Sequence, residues 1–152
     1  MRALTIASSL AIEMLMRQIP AADVLAEGAA AHWRRIAPDY KPAHAQQQML
    51  LHVHCHQRAL FNVKDEVAAL RATGGEVTLV EAGCCGMAGP FGFERQGFAV
   101  SQTLAERALL PAVRAADANT LIVTDGFSCR EQIAQNTARR AVHLAEVLAG
   151  RV

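Results

Sequence analysis

Gly83-Cys84-Cys85-Gly86-Met87-Ala88-Gly89-Pro90-Phe91-Gly92 is the stretch on which the reading of this chain turns. Two adjacent cysteines sit in a loop with glycine at every third position. Glycine permits positive φ and close backbone approach. A run of such residues can aim several N–H groups at one point and so form an anion-binding nest. Gly83, Gly86 and Gly89 are therefore candidate cradle residues for a bound group. Neighbouring thiolates inside a nest suit a metal or a metal–sulfur cluster. The plainer alternative is a flexible turn that carries two buried thiols.

Working outward, Glu76-Val77-Thr78-Leu79-Val80-Glu81 is rich in β-branched residues and reads as a strand running straight into the cysteine pair. Beyond the loop, Glu94 begins a helical stretch through Arg107 that continues to Ala116, with Pro111 kinking or restarting it. Thr120 to Thr124 is a strand closed by Asp125-Gly126. Ser128 and Glu131 fit a capping box, which puts Cys129 in the first turn of a helix. Helix amides and dipole favour a thiolate there, and Arg130 adds a charge beside it. Upstream, Met49 to His54 reads as a buried strand that delivers Cys55 directly after it. Asn62 caps a helix with Val63, Val67 and Leu70 on one face, ending at Thr73-Gly74-Gly75. A last helix is expected from Arg140 to Leu148.

The pattern is strand, Cys55, helix; strand, Cys84-Cys85, helix; strand, Cys129, helix. Such alternation predicts an α/β fold in three layers, a mostly parallel sheet flanked by helices. Ligand sites of open parallel sheets form beyond the carboxyl ends of the strands, where all four cysteines fall. They come from three loops separated by 28 and 43 intervening residues.

Composition bounds the function. A chain of 152 residues, 52% apolar and 19% charged, can bury a proper core without disulfides. Cytoplasmic, reduced thiols are the expectation. Net charge is +1 with no basic block, which argues against a nucleic-acid or anionic-membrane surface. Met1-Arg2 and the apolar Ala3 to Ile12 loosely resemble a signal peptide, but Glu13 and Arg17 interrupt the run and no span is expected. Residues 4–18 and 23–36 read as helices, with Trp33 packed inward, and 37–42 as a loop. Residues 1–44 form a helical lead-in, part of a truncated module, and 45–152 the cysteine-rich domain.

Four thiolates suit tetrahedral zinc or an iron–sulfur cluster. Adjacent cysteines chelate one ion through a tight ring, whereas a cluster offers several irons. Met87, Phe91 and Phe93 could keep water from such a centre. If residues 52–56 stay extended, His52, His54 and His56 share one face opposite Cys55. His54 and His56 are candidate ligands or proton carriers, and the alternative is that His52 and His54 contact a helix or a partner subunit. His143 reads as ordinary surface. Asp125 and Glu81 flank the site as minor proton-carrier candidates.

Three motifs in order, His54-Cys55-His56-Gln57, Gly83 to Gly92, and Asp125-Gly126-Phe127-Ser128-Cys129-Arg130, resemble the cysteine-rich CCG domain family. That family includes the CCG-bearing subunit of heterodisulfide reductase and the iron–sulfur subunit of glycolate oxidase. The likeness covers about residues 45–150 and is nearest to the C-terminal part of FAD-linked, iron–sulfur D-2-hydroxy-acid dehydrogenases. It implies an oxidoreductase role. Cys55, Cys84, Cys85 and Cys129 would hold an iron–sulfur cluster, 4Fe-4S before a single Zn or Fe, and pass electrons from a flavin. FAD would sit on a partner domain or subunit, with another iron–sulfur subunit alongside and membrane association only through a partner. Gly126 stands where the family's last C-x-x-C pair begins, which puts the family's double cluster in doubt and leaves a four-ligand cluster or a single metal, with a histidine as a further ligand candidate. No flavin or dinucleotide fingerprint is present, so the chain reads as the tail of a larger enzyme or a partner subunit, without turnover of its own. The alternatives are a zinc-bearing assembly module and a redox protein using Cys84 and Cys85 as a vicinal dithiol.

Overall fold

Met49-Leu50-Leu51 is apolar without alternation because this strand is covered on both sides. The computed structural model describes residues 46–152. The helices expected at 4–18 and 23–36, Trp33, and the 1–44 lead-in lie outside the described residues. The strands are β1 (Gln48–Leu51), β2 (Glu76–Leu79), β3 (Leu121–Val123) and β4 (Ala141–Val142). They form one sheet in the order β2-β1-β3-β4, and every pairing is parallel. The helices are α1 (Cys55–Leu60), α2 (Val63–Ala72), α3 (Arg95–Ala105), α4 (Leu109–Ala115), α5 (Phe127–Asn136) and α6 (Leu144–Leu148), with a 3-10 turn at Phe91–Phe93.

Two separate cores define the three layers. Met49, Leu51, Val123 and Val142 pack with Ala69 and Leu70 of α2 and with Leu144 and Val147 of α6. Leu50, Ile122 and Ala141 point to the opposite face, against Leu109 and Val113 of α4 and Ile133 of α5. Successive strand residues alternate between these cores, as period-2 geometry requires. The α/β, three-layer, parallel-sheet expectation is met.

Several boundaries differ from the sequence reading, each for a physical reason. β1 ends at Leu51 and not at His54, and Cys55 opens the short helix α1. The backbone therefore turns before the three histidines can share an extended face. The helix after the glycine loop breaks at Glu106–Ala108, upstream of Pro111. Pro111 then sits in the first turn of α4, where its missing N–H has no helical partner to lose. Gly126, not Ser128, precedes α5, so the Ser128–Glu131 box is not formed; Cys129 still falls in the first turn. The last segment is a two-residue strand followed by α6, not one helix from Arg140. Asn62 does cap α2, accepting from the Lys64 amide at 3.0 Å.

The cysteine loop is fixed to α3 by backbone contact. Gly86 has φ of +91°, and a Cβ there would meet the Ser101 carbonyl oxygen at 2.2 Å. Gly83 has no atom within 4 Å of such a Cβ. Gly86→Ala should therefore lower stability by ~2 kcal/mol or more, whereas Gly83→Ala should change it by less than about 0.5 kcal/mol. Urea unfolding of the two variants checks the contrast, and equal losses would contradict the packing described here.

Candidate metal centre

Strand register brings the sulfurs to one edge. Leu51 pairs with Leu79 on one side and with Val123 on the other, so β1, β2 and β3 end in one row. The cysteines lie four to six residues past that row. Cys55 leads α1, Cys84 and Cys85 lie in the loop after β2, and Cys129 is in the first turn of α5. All four thiols are free.

They are in mutual contact. Cys55 and Cys84 share a hydrogen bond. Cys85 accepts from the Cys84 and Cys129 thiols and from the backbone amides of Met87 and Ala88. The Gly86 amide donates to Cys84 Sγ at 3.3 Å. The glycine loop is thus a nest, and its contents are sulfur. Ala88 holds a φ of 47° and Gly89 of 65°, which turns successive amides inward.

This donor set decides the protonation order. Four donors on one sulfur, led by the Cys129 thiol, bring Cys85 down to about 6. Cys129 is pushed up, first because its proton is held against Cys85 and then by burial. The Thr124 hydroxyl, buried and otherwise unpartnered, lies beside the Cys129 thiol. Burial raises Cys84. The pair Cys85–Cys129 therefore behaves as a thiolate with a neutral thiol donor.

The histidines take separate places. His54 precedes α1 and meets His56 edge-on, with ring centroids 5.1 Å apart. The His54 ring also lies against Gly126, where a Cβ would come within 2.4 Å of His54 Cδ2 and 2.8 Å of Cys129 Sγ. Glycine at 126 is what lets an imidazole approach Cys129. Burial lowers the His54 pKa, with His56 adding to the effect. His52 is fully buried, and neither ring nitrogen has a partner; burial brings it down to about 4, so it is neutral. His143 is no surface bystander. It caps α6, its Nδ1 accepting from the Ala145 amide at 3.0 Å while Glu146 closes a capping box. Asp125 Oδ1 lies 3.3 Å from the same nitrogen.

Asp125 accepts from the Leu144 amide at 2.8 Å, so it ties the edge to α6. Glu81 is exposed and lines a cavity of about 290 Å³ together with Gly83, Cys84 and Arg107. Met87 is buried, but Phe91 and Phe93 face solvent, so the expected aromatic shield is reduced to the methionine. Among the described residues, no three His, Cys, Asp or Glu groups converge on one point suited to a single ion. The sulfurs instead form a connected row.

Sequence reasoning alone misses Glu66. It is buried on α2, Oε2 accepts from Gln57 Nε2 at 2.7 Å, and Oε1 has no partner. Its position in the first turn of α2 is one where an acidic side chain usually serves the helix dipole.

No family model matches the chain. It is 30% identical over 103 residues to one of the subunits of the anaerobic glycerol-3-phosphate dehydrogenase from Escherichia coli K12, and equally to the same subunit from Escherichia coli O157:H7. The alignment covers 67% of this chain and 26% of each relative, so the chain spans about a quarter of their length. No solved structure matches. The likeness is to a subunit of a dehydrogenase. Among the described residues no helix is long and apolar enough to cross a membrane.

Burial, with the Asp125 charge second, pushes the Glu66 carboxyl up to about 8 from an ordinary 4.5. The folded state then keeps a proton that the unfolded chain releases, so stability falls as pH rises from about 4.5 to about 8. The loss is about 5 kcal/mol at most, at roughly 1.4 kcal/mol per pH unit. Glu66→Gln should flatten this slope and raise the melting temperature at pH 8, read from thermal unfolding between pH 5 and pH 9.

Proposed function

We propose that residues 45–152 are an iron–sulfur electron-transfer module that serves a flavin-dependent dehydrogenase acting on 2-hydroxy acids. The observation that supports it best is the connected row of four free sulfurs, with backbone amides already directed at two of them. Thiolates in a row suit a polynuclear centre better than a single zinc, which needs its donors around one point. Cys55, Cys84, Cys85 and Cys129 would hold the cluster, 4Fe-4S by donor count, with His54 and His56 as neighbouring candidates. When bound, the cluster supplies a one-electron relay. The chain's own residues do the rest. The Gly86, Met87 and Ala88 amides favour anionic sulfur, which raises the reduction potential of whatever it binds. Gly83 and Gly89 frame that loop, and Met87 excludes water from beneath it.

A partner is supported by the surface around the sulfurs. Leu60, Phe91, Phe93 and Phe127 are exposed, and each lies close in sequence to a cysteine, on the same loop or helix. Such an apolar rim suits docking by a flavin-bearing subunit or by another iron–sulfur subunit. The 2-hydroxy-acid substrate rests on the three matched motifs; the curated relatives are named for glycerol-3-phosphate. Free thiols fit a cytoplasmic setting.

Anaerobic reconstitution with iron and sulfide tests the reading. A broad visible charge-transfer band should appear with acid-labile sulfide, and Cys84→Ser should lose most of it. Zinc uptake without sulfide would instead favour the assembly-module reading. A dithiol reading is favoured by one specific observation, the Cys85–Cys129 hydrogen bond. Cys85 accepts from both neighbouring thiols, and the Cys129 bond is the stronger influence, so Cys129 comes ahead of Cys84 as its disulfide partner. Thiol counting after mild oxidation of the metal-free protein separates it, since two thiols lost from that pair and no cluster formed would replace the electron-transfer reading.

A further inference from the structure

Arg58 lies three residues after Cys55 on α1, which places both side chains on one face of the helix. Its Nε and Nη2 atoms are buried and have no hydrogen-bond partner. These two nitrogens form one edge of the guanidinium, the fork that grips a carboxylate or phosphate through two parallel N–H bonds. A fork of this kind is costly to bury empty. His52, fully buried with both ring nitrogens also unpartnered, lies within electrostatic reach of Arg58.

Among the described residues no carboxylate fills the fork. Glu66 receives Gln57 on one oxygen and leaves the other without a bond. Asp125 is committed to the Leu144 amide. Four unpartnered buried nitrogens from two neighbouring side chains therefore share this corner of the sheet edge.

We propose that Arg58 and His52 form a receptor for an oxyanion, the carboxylate or phosphate group of a small molecule, held next to Cys55. Arg58 supplies the two-bond fork and the positive charge, and His52 supplies one further N–H. Bound there, the anion lies beside the row of sulfurs, so its occupancy would bear on the charge that row carries. The site stands on the empty fork and not on what the sulfurs bind, and its test is run on metal-free protein so that its failure is separate from failure of the cluster reading.

The probes are inorganic phosphate and acetate, with chloride at matched ionic strength as the control. In ¹⁵N-labelled protein the Arg58 Nε–H resonance, identified by its loss in Arg58→Lys, should move saturably with phosphate, acetate or both. Which probe moves it tells the phosphate class from the carboxylate class. Either probe should also raise the melting temperature of the wild type, and Arg58→Lys should need at least tenfold more of it for the same gain. Arg58→Gln should remove that gain and, in anion-free buffer, should melt no lower than wild type, because an unpaired buried charge has been taken away. No saturable movement beyond that with chloride, or an anion-dependent gain that persists in Arg58→Gln, would overturn the proposal.

Discussion

The structure depends on the common direction of its strands. Four strands pointing one way must have their carboxyl ends at one edge. Here the constraint is tighter still, because Leu51, Leu79 and Val123 lie in one row. Any residue four to six positions past that row enters the same small volume. The fold therefore needs no long-range pairing signal to gather the cysteines. It needs only strands that end level and loops of similar reach, and the hydrophobic registers of the two cores provide the first.

That edge is also where the molecule tolerates imperfect polar pairing. The two cores are apolar, yet His52, Arg58, Glu66 and Thr124, around the carboxyl ends of β1 and β3, each keep at least one buried polar atom without a partner. An unpaired buried polar atom costs about 1–3 kcal/mol, so a cluster of them is expected only where something else is gained. The sheet supplies the stability that this cluster removes. Unsatisfied groups concentrated around a row of thiols mark a site more firmly than any one residue in it.

Much of this was legible in the sequence, and the reasons are specific. Alternation of β-branched runs with helical stretches showed the parallel sheet, because burial of both sheet faces leaves continuous apolar strands such as Met49-Leu50-Leu51. The placement of each cysteine after a strand then followed from topology. What could not be read was where a strand stops and which group caps a helix. His52-Val53-His54 alternates like a strand but is a loop, because parallel pairing ended at Leu51. Ser128 and Glu131 match a capping box, but the chain had already entered α5 at Phe127. His143 and Glu146 form the box that exists, and no usual signature has histidine in that place. Glu66 stands where an acidic side chain usually serves the helix dipole, and only the contact with Gln57 of α1 shows that it is buried instead.

The loop geometry carries the chemistry one step further than the cysteine count does. Four equivalent thiols would each resist ionisation in a half-buried site. These are not equivalent: one sulfur collects two thiol donors and two amides, while its neighbours keep their protons and point them toward it. Negative charge therefore settles first on Cys85, inside the nest, where the φ values at Gly86, Ala88 and Gly89 have already turned the amides. Under the cluster reading, the first sulfur to meet the metal would be one whose charge the backbone has already placed. Cys84 and Cys129 already touch that sulfur, and Cys55 is linked to it through Cys84.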